Sequence, residues 1–326
     1  MQQPNYTPDE LKTTLAGGLI PAMPVMFDRE GRFHQRAHEE YVAFMSSQPI
    51  AGAAVWAHTG RGLLLDAETA RVVMEQWREA LPTRPLIAGA GARGKHSSPS
   101  ESTTATLSMA SEAAECGADA LLVYPPSWLK DHERRDSLII EHHQRLAEFG
   151  LPLVLFYLYE AAGGLCYTTE VLDELLSLPN VVGIKMATLD SVMTYQDVAR
   201  HIQSRHPDKL LITGEDRFLG YSFCQGAQAA LIGMAAVCTD LQAELMRAHF
   251  QRRAERFLEL SDMVDQLAQV LFIHPMEGYI GRVLFALSKV GVIPVEAAND
   301  PWGPPLTPHD VENISNVLNA LNVQVG

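Results

Sequence analysis

Short apolar runs alternate with amphipathic, helix-like segments along this chain from about residue 17 to residue 237. Gly17–Val25 predicts a first strand, closed by the polar turn Asp28-Arg29-Glu30-Gly31. A helix through Tyr41 and Phe44 leads to a second run, Ala51–Ala57. Asp66 then reads as the N-cap of a helix whose apolar positions include Ala70, Val73 and Trp77. Further runs follow at Leu86–Gly91, Ala120–Tyr124, Leu153–Tyr157, Val181–Ala187, Lys209–Thr213 and Ala229–Gly233, each succeeded by a helical pattern. Near-continuous apolar strands alternating with helices predict an α/β chain folded as a closed parallel TIM (β/α)8 barrel over residues 1–237. An open doubly wound sheet fits less well, because the first βα turn has no GxGxxG. Residues 238–326 show helical periodicity alone: a long pattern from Ala243 to Leu271, then Tyr279–Val290, then Pro308–Leu321. Pro301, Pro304 and Pro305 punctuate the approach to the last of these. The expectation is a C-terminal helical region packed on the barrel. One βα connection, Arg93 to Ser100, is polar, rich in breakers and longer than usual, and reads as a lid, an oligomer contact or an insertion.

Composition narrows the function. Of the 326 residues 47% are hydrophobic and 20% charged, as in a globular protein with a large core. A net charge of −14 excludes an extended nucleic-acid or anionic-membrane footprint. No run approaches the roughly 20 apolar residues that span a bilayer, and Met1–Thr14 lacks the charge and apolar stretch of a signal peptide, so a cytoplasmic chain is expected. Cys116, Cys166, Cys224 and Cys238 form no CxxC pair and read as small buried hydrophobes. Among the histidines, His34 and His38 share a polar helix face and His142-His143 follow Glu141 on another; both read as solvated, and no HExxH is present. A protein-bound catalytic metal is not expected.

The candidate chemistry centres on one lysine. Lysine is scarce, with six in the chain, and one of them, Lys185, sits inside the apolar run Val181–Ala187. An ammonium group taken from water is costly, so such a lysine either snorkels to a charged partner or has its pKa pushed down. A depressed pKa leaves a neutral amine, the nucleophile that Schiff-base formation with a carbonyl needs. Strand C-termini of a barrel converge on one mouth, which would gather Lys185 with Tyr157 and with His58-Thr59-Gly60. Tyr157 is then either a proton-relaying phenol or an aromatic closing the barrel top. Thr59 and the glycine-bordered turn offer a hydroxyl and N–H groups to a carboxylate, or simply satisfy their own backbone.

These stretches resemble the dihydrodipicolinate synthase / N-acetylneuraminate lyase family of class I aldolases. Ile20–Asp28 with Gly31 is similar to that family's opening strand and turn, Ala57-His58-Thr59-Gly60-Arg61 to its carboxylate-binding turn, and Phe156-Tyr157 to its catalytic tyrosine strand. Val182-Gly183-Ile184-Lys185 resembles the Schiff-base lysine strand and Thr213-Gly214-Glu215-Asp216 the turn after the seventh strand. Ile232 falls where a backbone carbonyl faces bound pyruvate. The resemblance implies a lyase with Lys185 as imine-forming nucleophile, Tyr157 and His58 in proton transfer, and Thr59, Gly60, Gly214, Glu215 and Ile232 binding substrate. It implies no diffusible cofactor, a 2-oxo acid substrate such as pyruvate, and a homo-oligomer, commonly a tetramer.

The departures bear on the substrate. His58 stands at the relay hydroxyl position, Arg61 at the usual glutamate, and Tyr124-Pro125-Pro126-Ser127-Trp128 lacks the tyrosine lent to a neighbouring subunit. Ala162, in Ala161-Ala162-Gly163-Gly164, replaces the arginine that holds the second substrate of the synthases. These changes favour aldol cleavage, condensation or dehydration of a keto-deoxy acid, with Glu215 and Asp216 as candidate hydroxyl binders. The alternatives are 4-hydroxy-tetrahydrodipicolinate synthase itself and a barrel that binds a 2-oxo acid without turnover.

Overall fold

A computed structural model describes residues 5–189 and 191–321. Eight parallel strands run in the order β1-β8-β7-β6-β5-β4-β3-β2. They are β1 (Leu19–Pro21), β2 (Ala53–Val55), β3 (Leu86–Ala90), β4 (Ala120–Val123), β5 (Leu153–Leu158), β6 (Val181–Ala187), β7 (Leu210–Thr213) and β8 (Ala229–Ile232). A parallel bridge between Ala22 and Ala54 brings the two ends together, so the barrel is nearly closed. Every strand position is buried, because the helices cover the outside and side chains fill the inside. The outer helices include α3 (Ala67–Ala80), whose N-cap Asp66 accepts a 2.8 Å hydrogen bond from Thr69 N, the start the sequence predicts.

The inner and outer layers separate by strand parity, with one interruption on β6 between Val182 and Ile184. Ile20, Val154, Phe156, Val182, Ile212 and Leu231 belong to the inner cluster. Leu155, Tyr157, Ile184 and Met186 belong to the layer between strands and helices. The inner cluster also holds Leu11 and Leu15 of α1 (Pro8–Leu15), a helix not expected from the polar N-terminal stretch. Thr7 and Glu10 start it with a reciprocal capping box. Its apolar edge closes the floor of the barrel, opposite the strand C-termini.

Several expectations are corrected. The pattern Ala243–Leu271 is two helices, α9 (Thr239–Phe250) and α10 (Ala254–Leu271). The break is a left-handed residue at Arg252 (φ 57°), with Arg253 N donating to Ala248 O at 2.8 Å; no glycine or proline marks it in the sequence. His38, His142 and His143 are buried rather than solvated: His38 contacts Gln76 and His142 contacts Thr103, at 2.5 and 3.0 Å. Of the cysteines only Cys238 is buried, while Cys166 and Cys224 are exposed. The loop after β3 ends earlier than expected, since Pro99 and Ser100 already belong to α4 (Pro99–Glu115), capped by Ser98. That loop is anchored by Arg93, which donates to Gly62 O and Glu112 and lies 4.9 Å from the Trp56 ring centroid. The last helices are α11 (Tyr279–Lys289) and α12 (Pro308–Ala320), joined by a buried Arg282–Asp310 pair at 3.0 Å. Among the described residues no single helix is long and apolar enough to cross a membrane.

Candidate active site

Lys185 lies on β6 with Phe156 and Ile212 as its lateral partners on β5 and β7. Laterally paired residues of parallel strands share a face, so its side chain enters the barrel interior, where it is 5% exposed. Its Nζ sits 4.2 Å from the centroid of the Phe156 ring. Burial pulls the amine down from the usual lysine range to about 8, against the opposing charges of Asp216 and Glu215. Gly214 is what makes room: a Cβ there would stand 2.7 Å from Lys185 Cε and 2.8 Å from Met186 O. Gly214 therefore shapes the lysine channel, and its N–H is used by Met186 O at 2.6 Å.

Asp216, on the turn after β7, is the acid that faces the lysine. Its Oδ1 accepts from Met234 N at 2.7 Å, and burial raises its carboxyl to about 7, countered by that N–H and by Lys185. Glu215 is occupied elsewhere. Its Oε1 accepts from Thr188 N (2.6 Å) and Thr188 Oγ1 (2.9 Å), and its Oε2 from Leu189 N (2.8 Å). Fully buried and pushed up to about 8 by burial, it pins the loop after β6, including the left-handed Leu189. The residue expected to bind substrate is thus engaged with the loop after β6 in this structure.

Tyr157 is not brought beside Lys185. It pairs laterally with Met186 and belongs to the outer layer, where its ring meets Tyr167 edge-on at 5.8 Å. Burial and a hydrogen bond with Cys166 raise its phenol further above the ordinary range. The alternation of β5 is unbroken, and an extra residue on β6 sets the pairing with it: Leu153 pairs with Val181, but Val154 pairs with Gly183. Without the shift Tyr157 would stand beside Lys185; with it, Phe156 does. Nor does β4 supply a free phenol, since the Tyr124 hydroxyl donates to Trp56 O at 2.9 Å.

The turn after β2 is a single 3-10 turn, His58–Gly60. Its bonds are donated by the N–H groups of Gly60 and Gly62 to Ala57 O, and of Arg61 to His58 O, leaving those of His58 and Thr59 outside the turn's ladder. Gly60 permits close packing on the strand below, because a Cβ there would lie 2.7 Å from Met23 O. Thr59 Oγ1 and His58 Nδ1 both reach the phenol of Tyr279, at 2.9 and 3.1 Å. Tyr279 is the first residue of α11, stacks on Phe272 at 4.6 Å, and was not singled out from the sequence. Its signal is purely tertiary, since it lies 220 residues from Thr59. Gly233 admits it, as a Cβ at that position would stand 3.0 Å from Thr59 Oγ1 and 3.1 Å from Tyr279 Cε2. The Ile232 carbonyl, expected to face substrate, accepts the ladder bond of Ala22 N at 2.9 Å.

Around this centre lies an ion network. Arg61, in the left-handed region at φ 52°, grips Asp300 with Nε and Nη2 at 3.2 and 2.6 Å and Glu277 with Nη1 at 2.9 Å. The other Glu277 oxygen lies 3.5 Å from His58 Nε2. Burial draws the His58 imidazole down to about 4, so the ring is neutral at physiological pH. Ala162 closes a tight 3-10 turn with Gly163 N on Glu160 O and Gly164 N on Tyr159 O. Away from the mouth, Asp173, His201 and His206 on the outer helices bring their ligand atoms within 4.8 Å of one another. They are joined by hydrogen bonds of 2.8 and 2.7 Å to one Asp173 oxygen, and the sequence reading did not find them.

Comparison with known proteins agrees with this architecture. The family model described as the dihydrodipicolinate synthetase family matches residues 15–321. The curated 4-hydroxy-tetrahydrodipicolinate synthase of Bartonella tribocorum is 26% identical over 278 residues, covering 84% of this chain and 88% of its own. The dihydrodipicolinate synthase structure from Thermotoga maritima superposes with a TM-score of 0.82 at 22% identity, covering 94% of this chain and 99% of that one. N-acetylneuraminate lyase from Mycoplasma synoviae gives 0.74 at 20% identity over 95% and 99% of the two chains. At such identities these two structures speak for the fold.

Proposed function

This chain belongs to the dihydrodipicolinate synthetase family, and from that premise we propose that it is a class I lyase in which Lys185 forms an imine with pyruvate or a longer 2-oxo acid. The observation that carries the reading is the state of one amine. Lys185 is buried against an aromatic ring, drawn down to about 8 by that burial, and set beside Asp216 in the barrel mouth. At neutral pH a useful fraction of it is the free base, which attacks a ketone; the resulting iminium accepts the electrons of a breaking C–C bond, so no diffusible cofactor is required. The N–H groups of His58 and Thr59 and the Thr59 hydroxyl hold the substrate carboxylate in this reading, which is supported by those N–H groups lying outside the turn's own bonds. Neutral His58 is suited to act as a base in the same mouth. A keto-deoxy acid is the substrate class that fits best, because the second-substrate arginine of the synthases is replaced by Ala162. On the resemblance we also propose a homo-oligomer working in the cytoplasm.

Borohydride added to enzyme and pyruvate, or to a panel of keto-deoxy sugar acids, should leave a stable mass adduct on the peptide bearing Lys185. Lys185→Met should lose the adduct and at least about a thousandfold in turnover. An unlabelled Lys185, or turnover by the variant, defeats the reading. The curated relatives named as synthases favour one second reading, condensation of pyruvate with aspartate semialdehyde. Direct assay of that condensation separates the two, and a barrel that only binds its ligand would show the adduct but release no product.

A further inference from the structure

The inner position beside Lys185 is Phe156, and the phenol of Tyr157 points away from it. A Schiff-base cycle nevertheless has protons to move. We propose that Tyr279, carried to the barrel mouth by the C-terminal helical region, supplies the missing phenol, in a relay running from the Thr59 hydroxyl through Tyr279 and His58 to Glu277. The inference rests on the imine chemistry proposed for Lys185.

The direction of each hydrogen bond follows from charge. Glu277 is tied to Arg61 through Oε2 at 2.9 Å, while its Oε1 is buried without a hydrogen-bond partner, 3.5 Å from His58 Nε2. A carboxylate facing a neutral imidazole draws the ring's single proton to the near nitrogen, so Nε2 carries it and Nδ1 is the acceptor. The Tyr279 hydroxyl then donates to Nδ1 across 3.1 Å, and its oxygen accepts from Thr59 Oγ1 across 2.9 Å. Every donor points outward, and reversal of the set delivers a proton inward. Accessibility rises at the outer end of the route: Thr59 and Tyr279 are 3% and 5% exposed, the His58 side chain 18% and that of Glu277 39%. The groups around Tyr279 are Thr59 and His58 from the turn after β2, Arg61, Asp216 from the turn after β7, and Tyr159 after β5. His58 in turn faces Glu277, Arg61, Lys185 and Asp300.

The protons balance without an outside acid. Attack by the neutral Lys185 amine forms the C–N bond and opens the carbonyl; the proton shed by nitrogen ends on the carbonyl oxygen. A second proton, lent by the relay and given back to it when the product iminium is hydrolysed, converts that hydroxyl to water, which leaves as the protonated C=N bond closes. In cleavage the hydroxyl two carbons from the imine carbon gives its proton to the relay, the C–C bond breaks, and the electron pair enters the enamine. The relay returns the proton to the enamine carbon, and water hydrolyses the product imine.

Tyr279→Phe keeps the ring stacked on Phe272 and removes the relay. Turnover should fall about 10²–10⁴-fold, the range of general acid–base contributions, while borohydride still captures the Lys185 adduct after long incubation. Replacing Tyr279 by a fluorinated tyrosine, which acidifies the phenol without changing its shape, should move the pH profile of turnover to lower pH. Thermal melting identifies a Tyr279→Phe protein that has merely lost its fold, in which case the fluorotyrosine profile decides. Near-wild-type turnover by folded Tyr279→Phe, or a profile unmoved by the fluorotyrosine, overturns the relay and leaves the imine reading standing. A wild-type enzyme that traps no adduct takes both down together.

Discussion

The chemistry proposed for Lys185 rests on two neighbours of opposite effect. Burial against Phe156 favours the neutral amine, whereas Asp216 favours the charged one. A lysine lowered to about 8 is the protonated, unreactive form below that pH, so imine formation should rise with pH and level off above it. Asp216→Asn removes the charge that holds the proton on. The rising limb of the imine-formation profile should therefore move to lower pH in this variant, measured as the trapping rate against pH. A limb that stayed in place or moved up would mean that Asp216 does not face the amine. That a lysine in an apolar strand is desolvated is legible in the residues around it, because desolvation is a local cost. Which acid answers it is not, since Glu215 and Asp216 are adjacent in sequence and only their packing sends one to Thr188 and the other toward Lys185.

Among the elements, the pairing of β5 with β6 decides most. Apolar runs identify both strands, yet a single register shift exchanges Phe156 for Tyr157 beside the lysine. Nothing in the run Leu153–Tyr157 marks the shift, because every position is apolar or aromatic and both faces are buried. The turn after β2 is likewise held from far away. Arg61 and Asp300 are 9% and 3% exposed at the side chain, and their bidentate pair ties this turn to the segment ahead of α12. Arg61→Ala would leave the Asp300 carboxylate buried without its cation and should cost about 3–5 kcal/mol of stability. Denaturant unfolding measures it, and a loss well below that range would mean the pair is better solvated than its burial indicates.

At the scale of the molecule, floor and mouth are closed by different parts of the chain. Leu11 and Leu15 of α1 fill the bottom of the barrel, while Tyr279 and Glu277 reach the top from the C-terminal helices. Leu15→Ala should therefore lower stability by about 2–5 kcal/mol, the range for a large-to-small core substitution, and leave the kcat and KM of folded enzyme unchanged. A change in KM at full folding would show that floor and mouth are coupled.

Periodicity along the chain determined the number and order of strands, the barrel, and the helical character of the C-terminal region, because these follow from which residues avoid water at spacings of two and three to four. Tertiary structure alone decided the rest. It chose Phe156 over Tyr157, turned Glu215 away, split the pattern at Arg252 and brought Tyr279 to Thr59. Burial is a property each residue carries with it, whereas register and long-range contact are settled only when the whole set of strands and helices packs at once.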